Sequence, residues 1–139
     1  MSERCRYARL VSYTIKNLRD VKDSAPEFGF SEMQEARFPR EDLGCETVGF
    51  AFHRVKPGKR QGFAHRHENA EEVYVVLSGT GRVKLDDDVR DLGPFDAIRV
   101  APSVVRAFEA GPDGLELLAF GPRHEGDGEV LRKDVWGDS

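Results

Sequence analysis

Hydrophobic and polar residues between positions 44 and 122 alternate in short runs that are typical of β-strands. The runs are rich in β-branched and aromatic residues and cover positions 48–55, 73–77, 82–85, 89–92, 96–100, 104–110 and 115–120. Glycine-containing turns are predicted at residues 78–81 and 111–114. No helical period competes with this pattern, so the region is predicted to form an all-β sandwich or closed barrel.

The two ends of the chain have weaker patterns. Residues 1–43 are expected to form an N-terminal arm, with a short strand around Tyr13 and Ile15 and a helical turn at residues 32–37. Residues 123–139 are rich in glycine and charge and are expected to wrap the surface as a C-terminal tail. Because 139 residues suffice for one domain but not for two cores, the arm, the barrel at 44–122 and the tail form one domain.

Composition narrows the classes of partner. With 21 basic and 25 acidic residues the formal net charge is −4, which argues against nucleic acid, because phosphate binding needs a basic face. The sequence shows neither a secretory signal nor a run long enough to cross a membrane, and we expect a cytoplasmic protein. Its two cysteines, Cys5 and Cys45, are expected to be reduced thiols. A strand-like arm could pair with a second copy, so we expect a homodimer.

The residues most suited to chemistry lie near the middle of the chain. His65 and His67 are two apart, so an extended strand directs both to one face, and Gln61 joins them if the strand starts early. Glu72 begins the next strand and shares its face with Tyr74. Two imidazoles and a carboxylate are a ligand set for a divalent metal, and with open positions they resemble the site of non-haem iron oxygenases.

Other polar and aromatic residues are expected to be structural. His53 shares a strand face with Ala51 and Val55 and is expected to pack in the core or at its rim. The acidic run at residues 86–88 lacks the alternate spacing of a calcium loop and is expected to be a solvated hairpin tip. Trp136 is a candidate anchor for the tail, either on the barrel or on a second subunit.

The segment HRHENAEEVYVVLSG, at residues 65–79, resembles the first motif of the cupin family. That motif has two histidines one residue apart, a glutamate and a strand-closing glycine, here His65, His67, Glu72 and Gly79. A looser match to the second motif covers residues 95–108. The resemblance spans about residues 46–121 and implies an all-β, cupin-type jelly-roll barrel (a double-stranded β-helix) with a ligand site inside. Relatives in this family include metal-dependent dioxygenases, sugar-phosphate isomerases and decarboxylases.

The second motif departs from the family at its most important position. Arg106 stands where the family usually supplies a third metal-binding histidine, and Ala110 stands in place of an asparagine. A guanidinium has only donors and cannot bind a metal. If Arg106 points inward, it lies near Glu72 and its positive charge weakens the binding of a cation.

Three interpretations remain open. In the first, His65, His67 and Glu72 hold iron, manganese, nickel or zinc, and Arg106 grips an anionic group of a substrate or the outer oxygen of Glu72. In the second, Arg106 replaces the metal and pairs with Glu72, and the pocket binds an anion or another small polar ligand. In the third, the pocket is vestigial and the protein is a non-catalytic oligomeric module. The candidate ligand-binding residues are Arg106, Tyr74 and Gln61. No catalytic residue is assigned, and a dioxygenase-like or isomerase-like enzyme is one candidate function.

Overall fold

A computed structural model, which describes residues 12–131 and 134–137, contains one curled sheet of eight strands within that part of the chain. In chain order the strands are β1 Gln34–Arg37, β2 Val48–Val55, β3 Ala64–His67, β4 Glu72–Leu85, β5 Asp88–Leu92, β6 Ala97–Val100, β7 Arg106–Pro122 and β8 Gly128–Leu131. The helical elements are short: a 3-10 turn at Leu18–Asp20, α1 at Ala25–Phe28 and α2 at Arg40–Leu43. None of the described helices is long and apolar enough to span a membrane.

Strand β7 holds the sheet together, because it pairs with β2, β3 and β4. Strand β1 extends the sheet beyond β2, and β8 extends it beyond β3. Strand β4 also pairs with β5 and β6, and every pairing is antiparallel. The curled antiparallel sheet confirms the prediction of an all-β fold.

The two turns predicted within the barrel are wrong, because residues 78–81 lie inside β4 and residues 111–114 lie inside β7. Gly79 pairs with Leu115 and Gly81 pairs with Ala110, so residues 111–114 all lie opposite Thr80. Gly79 has a φ of +80°, and a Cβ there would lie 2.0 Å from the Gly114 carbonyl oxygen. Bulges and turns both need glycine where φ is positive or where two backbones approach closely. The glycines in the sequence therefore could not distinguish a bulge from a turn.

The arm also differs from its prediction. Residues 32–37 were expected to form a helical turn, but 34–37 form β1, in which Gln34 and Ala36 are buried on the side that faces the core. Pairing with β2 overrides the local helical tendency. No strand forms around Tyr13 and Ile15, which are exposed, and the arm's residues 1–11 lie outside the described residues.

The tail is more than a surface wrap, because it supplies β8 to the sheet. Further along, the Trp136 ring lies 4.7 Å from the Arg60 guanidinium and 5.4 Å from that of Arg82. These cation–π contacts anchor the tail to the barrel.

The interior is divided into a main core and a smaller apolar cluster at one side. The main core consists of buried residues from β2, β4, β5, β6 and β7, among them Val55, Tyr74, Val76, Val83, Phe108, Leu115 and Leu117. The smaller cluster joins Ala25, Phe30 and Ala36 of the arm, with Met33 and Phe63 packed against it. The arm therefore covers part of the barrel, close to the strand that carries the two histidines.

Candidate metal centre and ligand cavity

The structure brings together the three residues that the sequence proposed as metal ligands. His65 and His67 project from β3, Glu72 projects from the start of β4, and one ligating atom from each lies within 4.8 Å of the others. Glu72 Oε1 lies 3.3 Å from His65 Nε2 and 3.1 Å from His67 Nε2. The shared direction of the two imidazoles follows from the two-residue period of an extended strand.

Asp127, in the tail, lies behind His67. Its Oδ2 lies 3.3 Å from His67 Nδ1, so the other ring nitrogen of His67 faces Glu72. Burial raises the pKa of Asp127, but hydrogen bonds from the backbone amides of Ala70 and Asn69 outweigh that effect and lower it. A carboxylate behind a ligating histidine is a common support of metal sites. Sequence reasoning missed Asp127, because no local pattern links it to a histidine 60 positions earlier.

Glu72 is held as a carboxylate. Burial raises its pKa, but hydrogen bonding with His65, the close His67 ring and the hydrogen bond from Tyr74 bring the pKa well below its usual range. The Tyr74 hydroxyl donates to Glu72 Oε1 at 2.6 Å and lies 3.2 Å from His65 Nε2. Burial and then the charge of Glu72 raise the pKa of Tyr74 well above 10, so its hydroxyl stays protonated.

The His65 imidazole is in the neutral form that a metal requires. Burial lowers the pKa of His65, although hydrogen bonding to Glu72 opposes this, and His65 is therefore neutral at pH 7. His67 Nε2 is buried and makes no hydrogen bond in spite of its short distance to Glu72. Two imidazole nitrogens and one carboxylate oxygen at these separations fit a divalent cation.

A cavity of about 330 Å³ opens beside this cluster. Its volume is at the lower end of the range for small-molecule sites. It is lined by Ala25, Phe28, Phe30, Ala36, Phe38, Ala51, His53, Phe63, His65, His67, Glu72, Tyr74, Ala119, Gly128 and Val130. Polar side chains are few in this lining, so the cavity is an apolar chamber with a small polar region.

Arg106 points inward, as expected, but it does not line the cavity. The side chain is completely buried, and its Nη2 lies 3.8 Å from Glu72 Oε1. Its N–H groups donate to three backbone carbonyls, those of Ala101, Pro102 and Val104, at 3.4, 3.2 and 2.8 Å. The guanidinium therefore contributes a fixed positive charge behind Glu72 and is not presented to a ligand in the cavity.

Gln61 lies away from this cavity, unlike its expected position beside His65. It lines a separate cleft of about 220 Å³ together with Arg60 and Trp136. Strand β3 begins only at Ala64, so the alternation that would have aligned Gln61 with His65 does not extend back to it.

His53 is buried, as expected, but it also lines the cavity. Its Nδ1 lies 3.3 Å from the Gln34 amide nitrogen, and its ring meets that of Phe38 edge-on at 5.9 Å. Burial, and then the neighbouring His65, lower the pKa of His53 to about 4, so the ring is neutral at pH 7. Strand alternation had predicted the inward direction of His53 but not the cavity beside it.

Comparisons with known proteins agree with this architecture. A family profile described as "Cupin domain" matches residues 51–120. The polyketide cyclase RemF from Streptomyces resistomycificus is 22% identical with a TM-score of 0.70, and the alignment covers 87% of this chain and 85% of that one. A cupin protein from Bacteroides fragilis is 19% identical with a TM-score of 0.66, over 93% and 96% of the two chains.

A larger protein shares the same fold in part. Oxalate decarboxylase from Bacillus subtilis is 21% identical with a TM-score of 0.68, and the alignment covers 93% of this chain but 37% of that one. No curated protein matches the sequence. The profile match over half of the sequence and the agreement of the folds show that this chain belongs to the cupin family.

Proposed function

We propose that this cupin binds a divalent metal through His65, His67 and Glu72, and that it holds a small organic ligand in the adjoining cavity. The observation that carries the proposal is the convergence of three metal-binding groups on an otherwise apolar chamber. Iron, manganese, nickel and zinc all suit imidazole ligands, and carboxylate adds affinity for manganese. A bound cation would polarise an oxygen atom of the ligand.

The surrounding residues support this role. Asp127 Oδ2 lies 3.3 Å from His67 Nδ1, the Tyr74 hydroxyl donates to Glu72, and most residues of the cavity walls are apolar. The finer proposal is a dioxygenase-like or isomerase-like enzyme, since both chemistries combine a Lewis acid with a group that can move a proton. Sugar phosphate isomerase and oxalate decarboxylase occur among the solved structures of similar fold.

One observation favours a second candidate, a metal-free binding pocket. Glu72 Oε1 already has the Tyr74 hydroxyl at 2.6 Å, His65 Nε2 at 3.3 Å and Arg106 Nη2 at 3.8 Å. These groups can balance the carboxylate without a cation. Metal binding is therefore the property that separates the two candidates.

Metal analysis of the purified protein and calorimetric titration with Zn²⁺ or Mn²⁺ test the proposal. We expect one ion per chain and a loss of affinity of 100-fold or more in Glu72→Gln, on the order of 3 kcal/mol. Glu71→Gln is the matched control, because Glu71 is exposed and pairs with Arg99. A wild-type protein that neither contains nor binds metal would refute the metal site and favour the second candidate.

We further propose a cytoplasmic homodimer that has neither nucleic acid nor a membrane as a partner. The net charge of −4 argues against nucleic acid. Tyr13 and Ile15 are largely exposed in the extended arm, which supports pairing with a second copy of the chain.

A further inference from the structure

The cavity has an aromatic wall. Phe28, Phe30, Phe38 and Phe63 all line it. Phe30 and Phe63 stack with ring centroids 5.1 Å apart, and the Phe63 ring lies 5.6 Å from that of His65. The aromatic surface thus runs from the arm directly to the proposed metal ligands.

Gly62 permits this packing. A Cβ at residue 62 would lie 2.2 Å from the Phe30 ring, far inside van der Waals contact. Any other residue at this position would push the ring of Phe30 away from its place in the wall. The aromatic wall therefore depends on a close approach between the arm and the segment before β3.

Strongly anionic ligands do not suit this cavity. Among the residues that the structure describes, the lining contains neither lysine nor arginine. Arg106, the cation that was expected to grip an anion, is completely buried and donates to backbone carbonyls. A compact dianion would lose its hydration on entering this mostly apolar chamber, which costs free energy. The proposed metal would have to supply the positive charge that offsets this cost.

His53 provides a polar contact that is independent of the metal ligands. It lines the same cavity but is not part of the group formed by His65, His67 and Glu72. The Gln34 amide nitrogen donates to His53 Nδ1, which places the ring proton on Nε2. The Nε2–H group is then the donor that His53 offers to a ligand.

We infer that the cavity binds an aromatic molecule of one or two rings, which packs against Phe30 and Phe63 and accepts a hydrogen bond from His53 at an oxygen-bearing edge. About 330 Å³ has room for on the order of ten water-sized groups, which suits such a molecule. The inference rests on the proposed function, because it takes the same cavity as the ligand site. It assigns an aromatic ligand to this cavity in place of the small anion that the sequence suggested.

A pair of probe molecules tests the ligand class. The Zn²⁺-loaded full chain is titrated with 2-naphthol and with its saturated analogue, decahydro-2-naphthol, which carries an aliphatic hydroxyl at the same position and no aromatic ring. We expect 2-naphthol to bind about three- to ten-fold more tightly, because ring packing adds to the hydrophobic gain. Equal binding of the two probes, or tighter binding of oxalate than of either, would overturn the inference.

Variants locate the contacts. Phe30→Leu should weaken 2-naphthol binding and leave decahydro-2-naphthol binding nearly unchanged. Phe95→Leu is the control, because Phe95 is 84% exposed. His53→Leu should weaken 2-naphthol binding about five- to ten-fold through the lost hydrogen bond. Its Zn²⁺ affinity should stay unchanged, and an unchanged affinity for 2-naphthol in a folded His53→Leu protein would contradict the role of His53.

The outcomes separate the inference from the proposed function. Failure of Zn²⁺ to bind the wild type refutes the metal site, whatever 2-naphthol does. If Zn²⁺ binds but the two probes do not differ, the metal site stands and the aromatic ligand is excluded. Thermal melting identifies any variant that does not fold, and in that case the comparison of the two probes on the wild type decides the inference.

Discussion

At the scale of single residues, Arg106 would compete with a bound metal ion for Glu72. We expect Arg106→His to strengthen Zn²⁺ or Mn²⁺ binding, because it removes a cation 3.8 Å from Glu72 Oε1 and adds an imidazole opposite His65 in the sheet. The same change should reduce the free energy of unfolding by about 2–4 kcal/mol, since three backbone carbonyls lose their N–H donors.

Calorimetry with the metal and urea unfolding measure the two effects of Arg106→His. Arg99→His is a suitable control, because Arg99 is exposed and pairs with Glu71 on the outside of the sheet. The control should change neither property. Equal metal affinity of wild type and Arg106→His would mean that the charge behind Glu72 does not influence the site.

The buried His53 should make stability depend on pH. Its pKa is about 4 in the folded chain against the usual 6.5, so the unfolded chain takes up a proton first as the pH falls. The contribution of the neutral His53 ring to the free energy of unfolding is complete above pH 6.5. It is lost as the pH falls from 6.5 to 4, and the loss is at most about 3 kcal/mol. Urea unfolding at pH 7.5 and 5 should show a smaller loss for His53→Gln than for the wild type. The exposed His124→Gln should behave as wild type, and an identical loss in all three proteins would contradict this account.

Sequence reasoning located the site residues that lie close together along the chain and missed those that are distant. His65, His67 and Glu72 belong to one continuous segment, so strand alternation and motif spacing were enough to place them together. Asp127 and Phe30 reach the site from the tail and the arm. Their positions depend on how those segments pack on the barrel, which no local pattern encodes.

At the scale of elements, β8 links the tail to the proposed metal site. Its pairing with β3 places Asp127 behind His67. We expect Asp127→Asn to weaken Zn²⁺ binding about ten-fold or more, because the carboxylate that orients the imidazole is lost. Asn keeps one of the two carboxylate oxygens, so it can accept from the Asn69 amide or from the Ala70 amide, and one of these hydrogen bonds is lost.

The matched control for Asp127→Asn is Asp113→Asn, in the exposed bulge of β7. Zinc titration measures the affinity of both variants, and thermal melting checks that each is folded. Full retention of zinc affinity in Asp127→Asn would show that the tail supplies a strand to the sheet but does not support the metal ligands.

The elements that the sequence predicted well are those whose own side chains fill the core. Strand β2, at Val48–Val55, occupies the predicted range because its buried residues, Ala51, His53 and Val55, alternate with less buried ones. The errors fall where one residue type serves two structures, as with the glycines of the bulges in β4 and β7. They also fall in β1, a short strand that depends on β2 for its hydrogen bonds.

At the scale of the whole molecule, three parts of the chain enclose the cavity. Arm, barrel and tail each supply lining residues, such as Phe30, Tyr74 and Val130. A ligand that fills the cavity therefore contacts all three parts and should stabilise them together. The family resemblance could imply the barrel, but the closure by arm and tail depends on the individual sequence.

The exposed arm leads to a prediction about assembly. Tyr13 is 77% exposed and Ile15 is 90% exposed, although both have large apolar side chains, and they lie outside the described helices and strands. Large exposed apolar residues in a row favour contact with another surface, and an extended segment can add to the sheet of a second copy. We expect light scattering at tens of micromolar to give twice the mass of the chain. Ile15→Lys should shift the protein toward monomer, whereas Val89→Lys on β5 should not. A wild-type monomer at that concentration would exclude a homodimer formed through the arm.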